Sequence, residues 1–248
     1  MQTFKSLIPE DWPAEGHAFP LRTIDIRVEE GDRAGISRFD DAVRENWERE
    51  VAANPHLFNG RLITLNEVRL EDGAVMATGQ IVPYAYHLWW RRQVPRPPTF
   101  HCFAMPVIVS AERAIIAIRM SPTTANAGKV YCASGSLEPA DIVDGRVDID
   151  ANMAREAAEE TGIRLDDLEA RPGYYCAHFR QAVMFYRFFH AALDADDLIA
   201  NVRGHMRHDD EQEIDAVMAI TRENRDAFDY AYSMLPVLDL FFDDGLRR

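Results

Sequence analysis

One short segment, residues 155–163, constrains this chain more than any other. It reads Arg-Glu-Ala-Ala-Glu-Glu-Thr-Gly-Ile, so three glutamates stand at relative positions i, i+3 and i+4 just before a glycine. On a helix, Glu156, Glu159 and Glu160 share one face, where like charges cost roughly 0.2–0.5 kcal/mol per pair. A hard cation such as Mg²⁺ removes that repulsion, because carboxylate oxygens, water and substrate phosphates are its usual ligands. The segment indicates either a metal site for phosphate chemistry or a solvated acidic helix face.

The residues just before this segment favour the metal site. Residues 129–133 read as a short strand, and the loop that follows contains Gly135, Glu138 and Asp141. Strand, glycine loop, acidic loop and acidic helix in this order resemble the Nudix hydrolase signature, which ends in Arg-Glu-x-x-Glu-Glu-x-Gly. By this resemblance Gly135 takes the glycine position and Glu138 is an acid of the preceding loop. Asp141 stands where the family has its first glutamate, and residues 155–163 match the second half without a gap.

The chain departs from the family pattern in two places. Asp141 is one methylene shorter than the glutamate that the family has there. The spacer between Asp141 and Arg155 contains the thirteen residues 142–154, whereas the family pattern has seven. This spacer includes Asp144-Gly145, a turn signal, so we expect a loop insertion before the helix.

The resemblance implies a Nudix-type α/β/α sandwich with a mixed sheet, and hydrolysis of a phosphoanhydride bond in a nucleoside diphosphate linked to another moiety. Glu156, Glu159 and Glu160 would hold Mg²⁺ or Mn²⁺, and Arg155 would orient a glutamate by ion pairing. A catalytically silent nucleotide-binding or sensor domain of the same fold is the alternative. Residues 47–60 also look like part of the UDP-glucose pyrophosphatase branch of the superfamily, which makes a nucleotide sugar worth testing.

Further site residues are predicted outside the motif. In the resembled family, a glutamate from another loop often completes the metal shell or serves as general base. The acidic run 209–213 offers Glu211 as first candidate and Glu213 as second, because strand alternation puts both on one face; a solvated acidic loop is the other interpretation. Gly135 would let its loop turn tightly and bring backbone amides near the metal. The candidate substrate-binding residues are Gly135, Glu138 and Arg119.

Two other patterns admit a functional and a structural interpretation. Residues 84–92 place aromatic side chains beside two arginines, which suits stacking on a nucleobase with arginine contacts to phosphate. A core element with exposed arginines is the interpretation that the composition favours. His205 and His208 have the spacing of helical metal ligands, but an oxygen-rich site suits Mg²⁺ or Mn²⁺ better. We therefore expect both histidines to be surface residues near the rim of the site.

Composition limits the class of protein and its partners. The chain has 248 residues, 47% of them hydrophobic and 27% charged, as in ordinary globular enzymes. A formal net charge of −14 argues against nucleic acid or an anionic membrane as partner. Three widely spaced cysteines predict reduced, buried thiols in a cytoplasmic protein. No apolar leader or membrane-spanning run occurs, and a homodimer is left open. The cysteines are Cys102, Cys132 and Cys176.

Proline-dense residues 93–98 predict a stiff connector. They divide the chain into a small N-terminal α+β unit, residues 1–95, which could instead mediate protein contacts, and a Nudix domain, residues 96–248. Predicted helices cover 37–53, with Ser37 as N-cap, 149–161, between Asp148 or Asp150 and Gly162, and 221–241 with a kink or end at Pro236. Predicted strands cover 21–28, 61–70, 75–82, 104–110, 114–120, 129–133, 174–179, 182–193 and 213–220.

Overall fold

A computed structural model describes residues 12–32, 34–208 and 212–243. These residues form fourteen strands in one sheet and five α-helices. The strands are β1 Phe19–Leu21, β2 Thr23–Val28, β3 Arg61–Glu71, β4 Ala74–Pro83, β5 Phe100–Val109, β6 Ile115–Met120, β7 Val130–Tyr131, β8 Gly135–Ser136, β9 Ile142–Val143, β10 Arg146–Val147, β11 Glu169–Ala170, β12 Tyr174–Phe179, β13 Ala182–His190 and β14 Ile214–Ile220. The helices are α1 Asp40–Ala53, α2 Tyr84–Trp90, α3 Ile149–Thr161, α4 Ala195–Met206 and α5 Leu235–Leu238.

The sheet is mixed, as predicted. Its main path runs β1-β12-β13-β5-β3-β4-β2-β10-β9, with β6 and β8 also pairing with β5. The pairs β5–β13 and β2–β4 are parallel, and their neighbours are antiparallel. Helix α3 packs on β5, and α4 packs on β14 and on α3. The predicted mixed α/β architecture is therefore confirmed.

Buried apolar residues form one large core and one small one. The large core is built on strands β5, β6 and β13, with Met105, Leu137 and Tyr186 fully buried. The small core lies between α1, α2 and the ends of β3 and β4. Strands on the two sides of the predicted connector share the sheet, where Thr64 pairs with His101 and Leu65 with Phe100. The division of the chain at residue 95 stays a prediction.

Two hairpins have the predicted turns. Asp72 and Gly73, between β3 and β4, both have positive φ, 47° and 73°, which matches the right-handed twist of the strands. The same geometry recurs in the predicted insertion, where Asp144 and Gly145 have φ of 49° and 75° between β9 and β10. This hairpin pairs with β2 at the sheet edge. Its ends are joined by a hydrogen bond of 2.8 Å from the Asp148 amide to the Asp141 carbonyl.

Two predicted helix boundaries are wrong. Ser37 is not an N-cap: a 3₁₀ turn, Ile36–Phe39, precedes α1, and the Asp32 carboxylate accepts hydrogen bonds from the amides of Ile36 and Ser37. The helix predicted from Thr221 is absent from residues 221–234. There the Asn224 side chain bonds the Thr221 amide and the Ala219 carbonyl, which competes with helix formation.

Pro236 opens a helix instead of ending one. It lies in the first turn of α5, which continues as a π-helical turn over Asp239–Asp243, and the missing amide of proline costs nothing there. The strand predicted to Leu193 ends at His190. Helix α4 was not predicted, although Asp194 caps it by accepting from the Asp197 amide at 2.9 Å. Within the described residues no helix is long and apolar enough to cross a membrane.

Candidate active site

Helix α3, which carries the acidic motif, has the predicted ends. Of the two aspartates predicted as possible caps, Asp148 is the N-cap, and its Oδ1 accepts from the Ala151 amide at 3.0 Å. Asp150 instead contacts the side chain of Arg187 at 2.7 Å. Gly162 ends the helix with φ of 71°, a left-handed conformation that favours glycine. The two caps therefore fix the ends of the helix that carries Glu156, Glu159 and Glu160.

Glu156 lies directly against the glycine loop. Glu156 is 8% exposed, and a Cβ added to Gly135 would overlap the Glu156 carboxylate. Gly135 is therefore needed for close approach of the loop to the helix. Burial raises the pKa of Glu156 to about 7, against the opposing effect of Arg155 and with a further rise from Glu159. Loss of solvent therefore destabilises this carboxylate by more than the charge of Arg155 stabilises it.

Glu160 is buried beside the same loop. Its carboxylate accepts a hydrogen bond of 2.9 Å from the amide of Ser134. Burial raises the pKa of Glu160 well above its usual range, and the Glu156 charge raises it further, whereas the Ser134 amide lowers it. The charge of Glu213 also raises this pKa, so Glu213 lies close enough to act on the site. Glu211 lies outside the described residues.

Arg155 links three carboxylates of the motif. Its Nη1 lies 2.8 Å from Glu156 Oε1 and 3.1 Å from Glu159 Oε2, and its Nη2 lies 3.3 Å from Asp141 Oδ2. The Glu159 side chain is 58% exposed, in contrast to its two buried neighbours on the helix. The ion pairing predicted for Arg155 is thus present, and Glu156 and Glu159 are both among its partners.

Asp141, at the first acidic position of the motif, is a structural anchor. It is 2% exposed. Its Oδ2 accepts from the Glu138 amide at 2.7 Å and from Asn152 Nδ2 at 2.9 Å, in addition to Arg155. Aspartate is therefore long enough to hold Arg155. Glu138 is half-buried, and burial raises its pKa while Arg155 lowers it.

The donor set suits a hard divalent cation. Glu156 and Glu160 are buried carboxylates that lack a full counter-charge, and Glu159 adds a third carboxylate on the same helix face. Oxygen donors of this kind match Mg²⁺ or Mn²⁺. Among the described residues, no three His, Cys, Asp or Glu side chains converge on one point, and Arg155 Nη1 lies between Glu156 and Glu159.

A cavity of about 600 Å³ adjoins this acidic cluster. Ser134 and Gly135 line it, and these are the residues that contact Glu160 and Glu156. The other parts of the lining include residues of α2, β5 and the segment 230–235. Its aromatic residues are Tyr84, Trp90, Phe103, Tyr131, Tyr230 and Tyr232, and its basic residues are His87, Arg91, Arg96, His101 and Lys129. The cavity and the acidic cluster therefore share one wall.

The segment 84–92 contains both buried core residues and residues that line the cavity. Tyr86, Leu88 and Trp89 are buried, as expected of a core helix. Tyr84, His87, Trp90 and Arg91 line the cavity. Four other cavity residues were not predicted, because no local spacing links them to the motif. They are His101, Phe103, Tyr230 and Tyr232.

Three other candidate residues lie outside the cavity lining. Arg119, on β6, has a side chain 47% exposed, and its Nε donates to Asp215 Oδ1 at 2.7 Å. His205 on α4 is half-buried and donates from Nε2 to the Glu159 carbonyl at 2.7 Å. His208, just past the end of α4, is exposed and its Nδ1 donates to the Gly204 carbonyl at 3.0 Å. The two histidines therefore do not share a site.

No protein-family model and no curated protein sequence matches this chain. Among solved structures, a MutT protein from Methanosarcina mazei Go1 is 15% identical over 60% of this chain and 96% of its own, with a TM-score of 0.41. The Nudix domain of Shewanella oneidensis NrtR, complexed with ADP ribose, is 9% identical over 56% and 84%, with a TM-score of 0.40. A C. elegans Ap4A hydrolase is 15% identical over 58% and 99%, with a TM-score of 0.39.

These similar structures are Nudix hydrolases or Nudix domains, the family that the motif resembles.

Proposed function

We propose that the protein is a divalent-metal-dependent hydrolase that cleaves a phosphoanhydride bond in a nucleoside diphosphate linked to another moiety. A nucleotide sugar is one member of that class. One observation supports the proposal above the others: the buried carboxylates of Glu156 and Glu160 lie behind the Ser134–Gly135 wall of the large cavity. A diphosphate placed against the Ser134–Gly135 wall would be next to the acidic cluster, a position that only bound cations make favourable.

Glu156, Glu159 and Glu160 would hold the metal. When bound, it would neutralise charge on the diphosphate and lower the pKa of a coordinated water. The chain's own residues fix the ligands: the Ser134 amide orients Glu160, and Gly135 leaves room for the Glu156 carboxylate. Arg155, held by Asp141, orients Glu156 and Glu159. Catalysis would be mainly positioning and charge neutralisation at phosphorus.

Two glutamates remain candidates for accepting the proton of the attacking water. Glu213 is exposed and acts electrostatically on Glu160, which favours it. Glu211 lies outside the described residues and stays a prediction from the sequence. Arg119, which is partly exposed, also stays a candidate for substrate binding.

The test is release of phosphate-containing products from nucleotide sugars, dinucleoside polyphosphates, ADP-ribose and nucleoside triphosphates. Each compound is incubated with Mg²⁺, with Mn²⁺ and with chelator. We expect metal-dependent cleavage of one class, lost by more than about a hundredfold in Glu160→Gln and Glu159→Gln, because these changes remove metal ligands. Glu169→Gln, on exposed β11, is the control. Full turnover by either ligand variant would remove that residue from the mechanism.

A nucleotide-binding sensor of the same fold is the second candidate. The guanidinium of Arg155 already contacts Glu156 and Glu159, so part of the acidic cluster is neutralised without metal. Thermal unfolding with increasing Mg²⁺ distinguishes the two. A ligand that binds the folded state stabilises it by RT ln(1 + [L]/Kd), so the enzyme should show a saturable rise in Tm, and the rise should shrink in Glu160→Gln.

The division into two units, the homodimer and the cytoplasmic location are also proposals. Limited proteolysis within residues 93–98 tests the division into two units. Light scattering tests the homodimer, and fractionation of the source cells tests the cytoplasmic location.

A further inference from the structure

One wall of the cavity is a continuous set of rings, which we call the ring wall: Tyr84, His87 and Trp90 of α2 with His101 and Phe103 of β5. The ring centroids of His87 and His101 are 4.1 Å apart, and those of His101 and Phe103 are 5.4 Å apart. Tyr84 and Trp90 each lie 5.9 Å from His87, with interplanar angles of 26° and 27°. Rings at these distances and angles pack against one another as one aromatic surface.

The ring wall is uncharged at neutral pH. Burial lowers the pKa of His101 to about 3, and it lowers the pKa of His87 well below its ordinary value. A neutral imidazole keeps one donor and one acceptor nitrogen. Within the described structure, His101 Nδ1 and the Tyr230 hydroxyl are buried without a hydrogen-bond partner. Both residues line the cavity, so the cavity combines an aromatic surface with unused hydrogen-bonding capacity.

The cavity is basic within an acidic protein. Arg91, Arg96 and Lys129 line it, and none of its described lining residues is acidic, whereas the whole chain has a formal charge of −14. Lys129 pairs with Asp229 at 2.6 Å. Arg96 lies 4.5 Å over the Trp90 ring and donates to backbone carbonyls.

Arg91 is exposed, and its side chain has no hydrogen bond or ion pair with the other described residues. It is therefore the cation of the cavity that is most available to a ligand.

We propose that the ring wall binds the nucleobase of the substrate and that Arg91 binds a phosphate of the same nucleotide. An uncharged flat wall suits stacking on a heteroaromatic ring, and a guanidinium forms paired hydrogen bonds with phosphate oxygens. The cavity volume lies within the usual range for small-ligand sites. This assignment rests on the proposed function for the class of substrate, but binding at this wall requires no metal.

The test is calorimetric binding of AMP, GMP, CMP and UMP to the full chain in the presence of chelator. Ribose 5-phosphate, which has the phosphate without a base, and adenosine, which has a base without the phosphate, are measured in parallel. We expect at least one nucleotide to bind roughly tenfold or more tightly than ribose 5-phosphate, because stacking adds affinity. Equal affinity of ribose 5-phosphate and the nucleotides, or no binding of any nucleotide, would overturn the proposal.

Two variants separate the parts of the proposed site. Arg91→Gln should weaken nucleotide binding roughly tenfold and leave adenosine unchanged, because a charged contact to phosphate is lost. Arg92→Gln is the matched control, since Arg92 is the next residue, is exposed and pairs with Glu50 at 2.7 Å outside the cavity lining. Equal losses in the two variants would contradict the role of Arg91. His87→Leu should reduce the preference for nucleotides over ribose 5-phosphate.

Glu160→Gln distinguishes failure of this inference from failure of the proposed function. It should bind the nucleotide in chelator as well as the unchanged protein does. Nucleotide binding without hydrolysis of any compound would refute the hydrolase and leave the ring wall as a nucleotide site. Metal-dependent hydrolysis with binding that ignores the base would refute the ring wall and leave the hydrolase.

Discussion

The two sides of the candidate active site are built on opposite principles. On α3, Glu156 and Glu160 are like charges buried next to each other, so burial and repulsion both raise their pKa values. On the ring wall, burial has driven His87 and His101 to their neutral forms, and the nearby Arg91 is exposed. The carboxylates on the acidic side are therefore destabilised in their charged forms, whereas the histidines of the ring wall are destabilised in theirs. Folding stability should thus be lost on the acidic side as pH rises and on the ring wall as pH falls.

The largest effect is expected from Gly135→Ala, which breaks the acidic side alone. An added Cβ would overlap the Glu156 carboxylate, so we expect turnover to be lost and the free energy of unfolding to fall by about 1–3 kcal/mol from overpacking. Urea unfolding and the hydrolysis assay measure both. Gly60→Ala is the control, because its Cβ would meet the Phe58 ring at an ordinary 3.5 Å. Unchanged stability and activity in Gly135→Ala would show that the loop can move away.

Glu156 and the histidines of the ring wall should make opposing contributions to the pH dependence of stability. Burial raises the pKa of Glu156 from an ordinary 4.5 to about 7 in the folded protein, so in chelator this group should lower the free energy of unfolding by on the order of 3 kcal/mol as pH rises from about 4.5 to about 7. Glu160 contributes in the same direction as Glu156. Burial lowers the pKa values of His87 and His101, so these two groups should raise the free energy of unfolding as pH rises toward 6.5.

Urea unfolding at a series of pH values checks this loss of stability. Glu156→Gln should remove the contribution of Glu156 and make stability rise more steeply with pH, and saturating Mg²⁺ should reverse the loss near pH 8. A slope that persists unchanged in Glu156→Gln would assign it to other groups.

Asp141→Glu tests whether the family's longer acid would serve this site better. Because Asp141 is 2% exposed and already reaches Arg155, the added methylene should destabilise the fold by about 1–2 kcal/mol. Asp166→Glu, in an exposed turn, is the control for the same chemical change. If Asp141→Glu raised both Tm and turnover, glutamate would suit this position better than aspartate, and the role of Asp141 as a structural anchor would be contradicted.

The smallest effect is expected from His205→Ala. This change removes the donor to the Glu159 carbonyl and should cost about 1 kcal/mol in unfolding free energy, with hydrolysis nearly unchanged. His208→Ala, whose imidazole bonds only the carbonyl of Gly204 among the described residues, is the control. A large loss of turnover in His205→Ala alone would show that α4 positions the metal ligands.

The elements predicted correctly from the sequence are mainly those that depend on residues close together in the chain. Helix α3, its Asp148 cap and Gly162 were predicted correctly, because capping and helical spacing are local properties of the chain. Helix α4 was missed although its Asp194 cap is also local; its buried apolar side chains are few, with Leu198 and Val202 the larger ones. The long helix predicted from residue 221 was wrong because hydrogen bonds from the Asn224 side chain to the backbone outweigh the helical spacing of the apolar residues.

The ring wall lay beyond local reasoning. His101 and Phe103 belong to a strand whose pattern reports burial, and the residues that face them come from α2 and from the irregular segment around Tyr230. Only the folded sheet brings these segments together. The acidic cluster could be predicted from the sequence because most of it lies on one helix. Its partner Asp141 could be predicted because it follows a glycine at the spacing of the resembled motif.

The β9–β10 hairpin bears on how such sites diverge. Its residues leave the acidic loop and return to nearly the same point, since the Asp148 amide bonds the Asp141 carbonyl. Lengthening a loop costs little, about 0.6 kcal/mol per doubling, when its two ends stay fixed. An ancestor could thus gain residues here without disturbing the contact between Asp141 and Arg155. The number of residues between two motif positions is then a poor guide to whether two sites are related. The contact between the side chains at those positions is the property that selection can preserve.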